Sequence, residues 1–509
     1  MTIITVPAAG AIGLMPDVTG QELPPNAWTD AQNMRFVNGY AQRATGYTQP
    51  LSAPAVTPYA LFPFVTATTR FWVHLGLANA YSDDGAARAN ITPTTPFTGS
   101  IDAKWTGGTF NGALVLTNGA DVPHYWAGSG LMQPLTSWTS TWRCESIVPF
   151  KNFLVALNIT KGSTKYPHMV KWSAAADPGT LPAWDETNPA IEAGEFDLAE
   201  TSDVLVDALP LGDVLIVYKE RSMYAMQLSG NSFVFRFQRL PGEYGMLARG
   251  CGAVTPVGHV VLTAGDVILH SGGQPKSIVS NRLREWLFRN MDQTNWRRCF
   301  VVANPNASEV WVCFPENGRA ACTKAITWNW ESDTWGVRDL PNATDAAFGV
   351  LVQTGDSWAS DSASWDSDAT TWEQLPFAAT RATLMMSSTT PALYAMEQTN
   401  AFDGAAVTAK LERKHIALNG DTDTVRLIKS VRPRVDAIAG TALSIEVGAS
   451  MDAETEPVYS APVLYTVGST LKADTFASGR FHSLRISSNG LATWRIKSFD
   501  IEFVDQGRF

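Results

Sequence analysis

Cysteine is scarce and unpatterned: five residues in 509, at Cys144, Cys251, Cys299, Cys313 and Cys322, with no Cys-x-x-Cys pair and no histidine at zinc-finger spacing. This excludes a zinc ribbon and points to reduced, buried thiols in a cytoplasmically made protein. Cys313 and Cys322 could face each other across a hairpin, although the compartment argues against a disulfide. Charge is also sparse, at 17% of residues with a net of −10. The chain therefore lacks the basic surface that tight phosphate binding requires, and is expected not to grip nucleic acid from outside. No stretch reaches the ~18 uninterrupted apolar residues of a membrane helix. Residues 1–7 have neither a basic n-region nor a long apolar run, so no signal peptide is expected. The expectation is a soluble chain, exported only by another route such as release within a particle.

Catalytic signatures are missing too. There is no Gly-x-Ser-x-Gly elbow, and the seven histidines mostly sit in strand-like runs. Gly272-Gly273-Gln274-Pro275-Lys276-Ser277 ends like a phosphate-binding loop but lacks its first glycine and carries a proline in the turn. Asp421-Thr422-Asp423 is not followed by the ligand series of a calcium loop. Acidic residues such as Glu195, Asp197, Glu220, Asp266 and Asp339 are plentiful, yet sequence alone pairs none of them for glycoside hydrolysis. No catalytic, cofactor-binding or metal-binding residue is assigned.

What the chain does have is aromatic strands and turn residues: 18 Trp, 39 Gly and 29 Pro. Flat rings pack on pleated surfaces while Gly and Pro supply turns, so the composition reads as β-rich. The most informative stretch is residues 326–341. There Ile326-Thr327-Trp328-Asn329-Trp330 runs into a polar turn at Glu331-Ser332-Asp333, and a second strand opens on Trp335. Short apolar runs beginning near 71, 112, 153, 214, 258 and 309 recur upstream, close to the roughly 40–50 residues of a four-stranded propeller blade. The expected fold is all-β, a six-bladed β-propeller combined with a terminal antiparallel β-sandwich or barrel platform, with few helices.

The expected divisions are an N-terminal docking arm with strands over 1–58, packing with the C-terminal domain; the propeller over 59–340; a Trp-rich connecting segment over 341–395; and the sandwich over 396–509. In the last, clean alternation as in Leu443-Ser444-Ile445-Glu446-Val447 leaves one face wet. One helix is predicted from Asn281 to about Gln293, with Leu283, Trp286, Leu287 and Met291 on one face and Arg282 and Arg289 on the other. Those arginines form either a basic ring facing neighbours or a lumen, or a solvated helix face. Trp358, Trp365 and Trp372 recur every seven residues among Ser, Thr and Asp, which disfavour helix, so consecutive turns carrying contact rings are expected. Ser364-Trp365-Asp366-Ser367-Asp368-Ala369-Thr370-Thr371-Trp372 resembles the Asp-box turn of sialidase-type propellers, but has Asp368 in place of the turn glycine.

Three segments carry a resemblance. Asn26-Ala27-Trp28-Thr29-Asp30-Ala31-Gln32-Asn33-Met34-Arg35-Phe36-Val37-Asn38-Gly39-Tyr40-Ala41-Gln42-Arg43 leads to Gly46-Tyr47; the Trp-Asn-Trp hairpin ends in Arg338-Asp339-Leu340-Pro341; and the C-terminal Ser478-Gly479-Arg480-Phe481 run extends through Trp494-Arg495-Ile496. Together they are similar to the tail nozzle proteins of short-tailed bacteriophages, the packaged-DNA stabilisation or tail tubular protein B group. The resemblance implies a structural virion protein with no enzyme activity. It implies a homohexameric ring at the distal end of the tail tube, assembled in the host cytoplasm and docked to an adaptor ring and to fibres or spikes. Such a nozzle retains packaged double-stranded DNA, conducts it on ejection without sequence-specific binding, and meets the host surface indirectly. Candidate contact residues are Trp28, Arg35, Phe36, Arg282, Arg289, Trp358, Trp365 and Trp372. The reading from another class is a propeller carbohydrate-active enzyme or lectin.

Overall fold

The computed structural model describes residues 2–230, 233–351 and 382–508. Five separate four-stranded antiparallel sheets follow one another along the chain, opening on Ala60–Val65, Thr106–Phe110, Trp142–Phe150, Leu205–Leu211 and Gly252–Thr255. Phe300–Asn304, Glu309–Phe314, Cys322–Asn329 and the first half of Thr334–Val350 make the sixth. These are the six expected blades of the propeller. The periodic apolar runs of the sequence are the second strand of each blade: Ala113–Thr117, Gly258–Leu262 and Glu309–Phe314 are buried along their whole length. A strand covered on both faces by neighbouring blades needs apolar residues on both, so these runs are continuous instead of alternating.

To the six blades the structure adds a further four-stranded unit. At Asn342, whose φ of 50° lies in the left-handed region that asparagine tolerates, Thr334–Val350 leaves the sixth blade. Its second half pairs with Ala382–Ser388, which pairs with Ala392–Met396, which pairs with Tyr47–Thr48. One face of this sheet packs Leu384, Met386 and Tyr394 on Phe300 and Trp311 of the sixth blade. On the other, Met385 and Leu393 pack on Leu61 and Trp72 of the first blade. The ring is therefore closed by a sheet that includes an N-terminal strand. Residues 343–350 and 382–396, expected as connecting segment, are part of it. Trp358, Trp365 and Trp372 lie outside the described residues.

The C-terminal domain is a two-sheet sandwich. One sheet orders Met34–Val37, Tyr40–Arg43, Trp494–Arg508, Thr424–Ala437 and Ala473–Gly479, with Thr2–Val6 also on Trp494–Arg508. The other orders Ala442–Ser450, Phe481–Gly490, Val407–Ile416 and Asp30–Gln32, with Val458–Tyr459 and Val463–Thr466 on the outer side of Ala442–Ser450. Phe499, Ile501 and Phe503 meet Leu411, Leu443, Ile445 and Ile486 between them. The docking arm thus supplies strands to both sheets.

The predicted helix is shorter than expected, Arg284–Asn290. Asn281 sits at φ 58° and cannot begin it, and Met291 is already extended. Leu283, Leu287 and Met291 are buried as the spacing requires, and Trp286 is half-buried. Asp17 of the docking arm accepts the amides of Glu285 and Trp286 at 2.7 and 2.8 Å. Those amides lack intrahelical partners, so the arm satisfies them.

Trp28 is fully buried, donates from Nε1 to the Ala9 carbonyl at 2.6 Å, and packs 6.1 Å from Phe499. Trp28→Ala is expected to lower the unfolding free energy by about 3–5 kcal/mol, measured by urea denaturation. Because the arm is shared, intrinsic fluorescence and far-UV circular dichroism should trace one coincident transition; two separated transitions would show that the arm does not couple the domains.

Candidate functional site

The N-terminal hairpin turns at Asn38-Gly39, with φ of 51° and 79°, the combination that a two-residue type I′ turn demands. That turn fixes the register of Met34–Val37 on Tyr40–Arg43, and hence which side chains point into the junction between propeller and sandwich. On one side Met34 lies opposite Val337 of the Trp hairpin; on the other Ala41 and Gln42 lie opposite Ile496 and Arg495. A single hydrogen-bonded sheet thereby runs from the sixth blade through the hairpin into the sandwich. The three segments that carry the resemblance meet here.

Side chains lock the same junction. Asn33 Nδ2 donates to Asp339 Oδ2 at 2.8 Å while the Asp339 amide donates to Asn33 Oδ1 at 2.8 Å, across a separation of 306 residues. Gln32 and Lys324 also reach the Asp339 carboxylate, at 2.8 and 3.1 Å. Burial alone would raise this carboxyl, but Lys324 and the two amide side chains outweigh it and hold it below the usual range. Arg35 bridges two carboxylates, Glu309 at 2.8 Å and Glu397 at 3.2 Å. Arg338, buried against the face of Trp311 with its guanidinium carbon 4.1 Å from the ring centre, donates to Glu397 at 3.1 Å and to the Thr45 carbonyl at 2.8 Å.

The two guanidiniums are unequal. Burial opposes the charge on Arg35, yet its two carboxylates raise its pKa above the ordinary value. Arg338 shares one carboxylate only, and desolvation lowers it; it nonetheless stays charged, as arginine does in proteins. Glu397, pushed up by burial but more strongly down by Arg35 and Arg338, stays ionised.

Arg35, Asn304, Asn329, Glu331 and Glu397 line a cleft of about 560 Å³ beside this network. A general acid needs a carboxyl held up near the working pH, and Glu397 is held down. The carboxyls that burial does raise, Asp207 and Asp345, lie away from this cleft among the inner strands of the propeller. Asp207 takes hydrogen bonds from Ser146 at 2.7 Å and the Gly250 amide at 3.2 Å, and Asp345 one from the Leu61 amide at 2.9 Å.

The propeller axis is itself bridged. Lys104, just ahead of the second blade, donates to the Cys299 carbonyl at the start of the sixth at 2.7 Å. Arg249, ahead of the fifth blade, pairs with Glu145 of the third at 3.3 Å. Among the described residues no group of three or more His, Cys, Asp or Glu side chains is placed to hold a metal ion, and no helix is long and apolar enough to cross a membrane. The five thiols are free and buried, and burial raises Cys144 to about 12 and Cys251 to about 11.

The expected contact residues fare differently. Trp28 and Phe36 are core residues of their own chain, because the arm inserts them between sheets instead of presenting them outward. Arg35 is spent on the two glutamates. Arg282 pairs with Asp333 at 2.7 Å and ties the helix start to the Trp hairpin. Arg289 is exposed and lines a second cleft with Asp30, Lys414 and Glu456. Arg298 pairs with Asp102 at 2.9 Å, and Arg297 lies over Trp296. Glu309 and Glu397 were not singled out from sequence; only a partner at known distance marks them.

No family model matches the chain, and no curated protein does. Solved structures similar to it include the computationally designed Ika8 protein, at 10% identity over 68% of this chain and 98% of that one with a TM-score of 0.36. Another is BBS1N in complex with ARL6DN, at 10% identity over 69% and 97% with a TM-score of 0.38. The architecture stands on its own strand order.

Glu397→Ala leaves two guanidiniums without their shared carboxylate and is expected to cost about 3–5 kcal/mol, read by urea denaturation at pH 7. The sign of the pH dependence follows from depressed folded pKa values at Glu397 and Asp339. Their stabilisation is present above the unfolded carboxylate values of about 4 and lost as pH falls through the lower folded ones. Thermal melting should therefore fall steeply below about pH 4, and less steeply in Glu397→Ala.

Proposed function

We propose that this chain is a structural virion protein, a subunit of the distal nozzle of a bacteriophage tail. Copies form a ring, expected to be a homohexamer, that docks to an adaptor ring and to fibres or spikes and retains packaged double-stranded DNA until ejection. The observation that carries this reading is the convergence of the three nozzle-like segments on one hydrogen-bonded junction, although more than 300 residues separate Asn33 from Asp339. Motifs that meet in space act as one unit, and this unit makes a propeller and a sandwich into a single stiff body, as a conduit wall needs.

Charge supports the same reading. A net charge of −10 suits a wall that must pass phosphate without holding it. Lys104 and Arg249 join non-neighbouring blades, which favours a passage between copies over one through the propeller. Glu397 of the junction cleft, ion-paired and held ionised, is no general acid, which weighs against the alternative of a carbohydrate-active enzyme.

Mass measurement and negative-stain imaging of the purified chain test this. Rings with a central hole wide enough for a duplex are expected; a compact monomer that cleaves or binds glycans would replace the nozzle reading with the enzyme or lectin one. In fluorescence anisotropy at 150 mM salt, duplex DNA should bind more weakly than a Kd of about 10⁻⁴ M.

A further inference from the structure

The first sheet of the sandwich ends in two bare edges. Thr2–Val6, Trp494–Arg508, Thr424–Ala437 and Ala473–Gly479 lie side by side, each antiparallel to the next. Among the described residues no strand pairs with the outer side of Thr2–Val6 or of Ala473–Gly479. Open edges are ordinarily blunted by charge, proline or a bulge, because their unpaired amides and carbonyls recruit other chains. Ala473–Gly479 carries Asp474 and a register shift on its neighbour, whereas Thr2–Val6 has none of these. It reads Thr-Ile-Ile-Thr-Val, β-branched at every position, and its register on Trp494–Arg508 runs without a shift.

We propose that copies of this chain join head to tail by strand addition, the outer edge of Thr2–Val6 in one copy pairing antiparallel with the outer edge of Ala473–Gly479 in the next. The inference deepens the ring reading and rests on it. Strand polarity permits it: with four antiparallel strands the first and last run in opposite directions, so a second copy placed beside the first continues the alternation. Side-chain facing permits it as well. Ile3 lies opposite Glu502, Glu502 opposite Ser430, and Ser430 opposite Asp474. The register shifts between Asp474 and Ala477, but Asp474 and Phe476 are both exposed beside buried Ala473 and Thr475, so Ile3 and Phe476 share the face turned away from the core, at 51% and 63% exposure. Pairing would set them side by side, the arrangement in which aromatic and β-branched residues stabilise neighbouring strands.

The area argument points to a second copy with more than the edge involved. Five residues span about 17 Å, too little for the roughly 1,200 Å² that a specific interface buries. Leu464, at 66% exposure, and Leu471, at 90%, lie on the strand and loop that lead into Ala473–Gly479 and enlarge the accepting side. The two edges are different surfaces, so the contact is heterologous, the kind that closes into a ring when the rotation allows.

Paired cysteines test this in the full chain. Both positions are exposed and the five native thiols are buried, so Ile3→Cys with Phe476→Cys should give, on mild oxidation, a reducible ladder of covalent oligomers ending at the ring size, while each single variant gives none. Phe476→Lys should convert rings to monomers by native mass spectrometry, with far-UV circular dichroism unchanged because the side chain is bare in the monomer. Wild-type rings without a ladder would overturn strand addition and leave the ring reading standing. A ladder that stops at a dimer would overturn the head-to-tail contact. A wild-type chain that is monomeric at every concentration would overturn both.

Discussion

The architecture depends on backbone hydrogen bonds made by the first 48 residues. Thr2–Val6 and Tyr40–Arg43 line Trp494–Arg508, Asp30–Gln32 extends the opposite sandwich sheet, Met34–Val37 meets the sixth blade, and Tyr47–Thr48 completes the sheet that closes the propeller. A strand holds its neighbours through amides and carbonyls that have no alternative partner once buried, so each insertion is satisfied only when the partner domain is already folded. Fixing contacts across some 300 residues costs chain entropy, but loop-closure cost grows only logarithmically with length. One arm used five times is therefore an economical way to hold two domains at a fixed angle.

The charged groups at the junction specify that angle more than they stabilise it. A buried ion network roughly offsets its own desolvation. Yet Arg35 finds Glu309 and Glu397 together only when hairpin, sixth blade and closing sheet are all in register. Slipping the hairpin by one residue would turn Arg35 to the opposite face and take from Glu309 its cation, leaving Glu397 with Arg338 alone. Asn33 and Asp339, bonded through both main chain and side chain, add a second check on the same register.

The parts of this fold that were legible in the sequence are those governed by local patterning. Blade strands announce themselves as apolar runs, and Asn38-Gly39 marks its hairpin. The helix was placed correctly by Leu283, Leu287 and Met291 but given too long a span, because periodicity does not register a left-handed Asn281. The closing sheet was not legible: its outer strand is two residues long and more than 340 residues from its partner, and no local pattern encodes such a pairing. Trp28 and Phe36 were read as contact residues because large rings in a loop-rich arm resemble anchors. They are anchors, but the surface they anchor to belongs to the same chain. Arg35 reads as a contact residue in the sequence and pairs within its own chain, with Glu309 and Glu397, which no local pattern sets apart among 48 acidic residues.

The charge inside the propeller carries the last step. A disc of radiating sheets leaves an axial hole, and here it is filled with polar contacts: Lys104 to the Cys299 carbonyl, Arg249 to Glu145, Asp207 between Ser146 and the Gly250 amide. Each of these groups has a partner from another blade, so polar contacts tie the blades to one another. Asp207 is the buried member of the set, and separating the blades would take away its Ser146 and Gly250 partners. On the proposed nozzle reading the propeller serves as a rigid wall segment and the passage is left to the spacing of copies, which the unpaired edges of the sandwich would join.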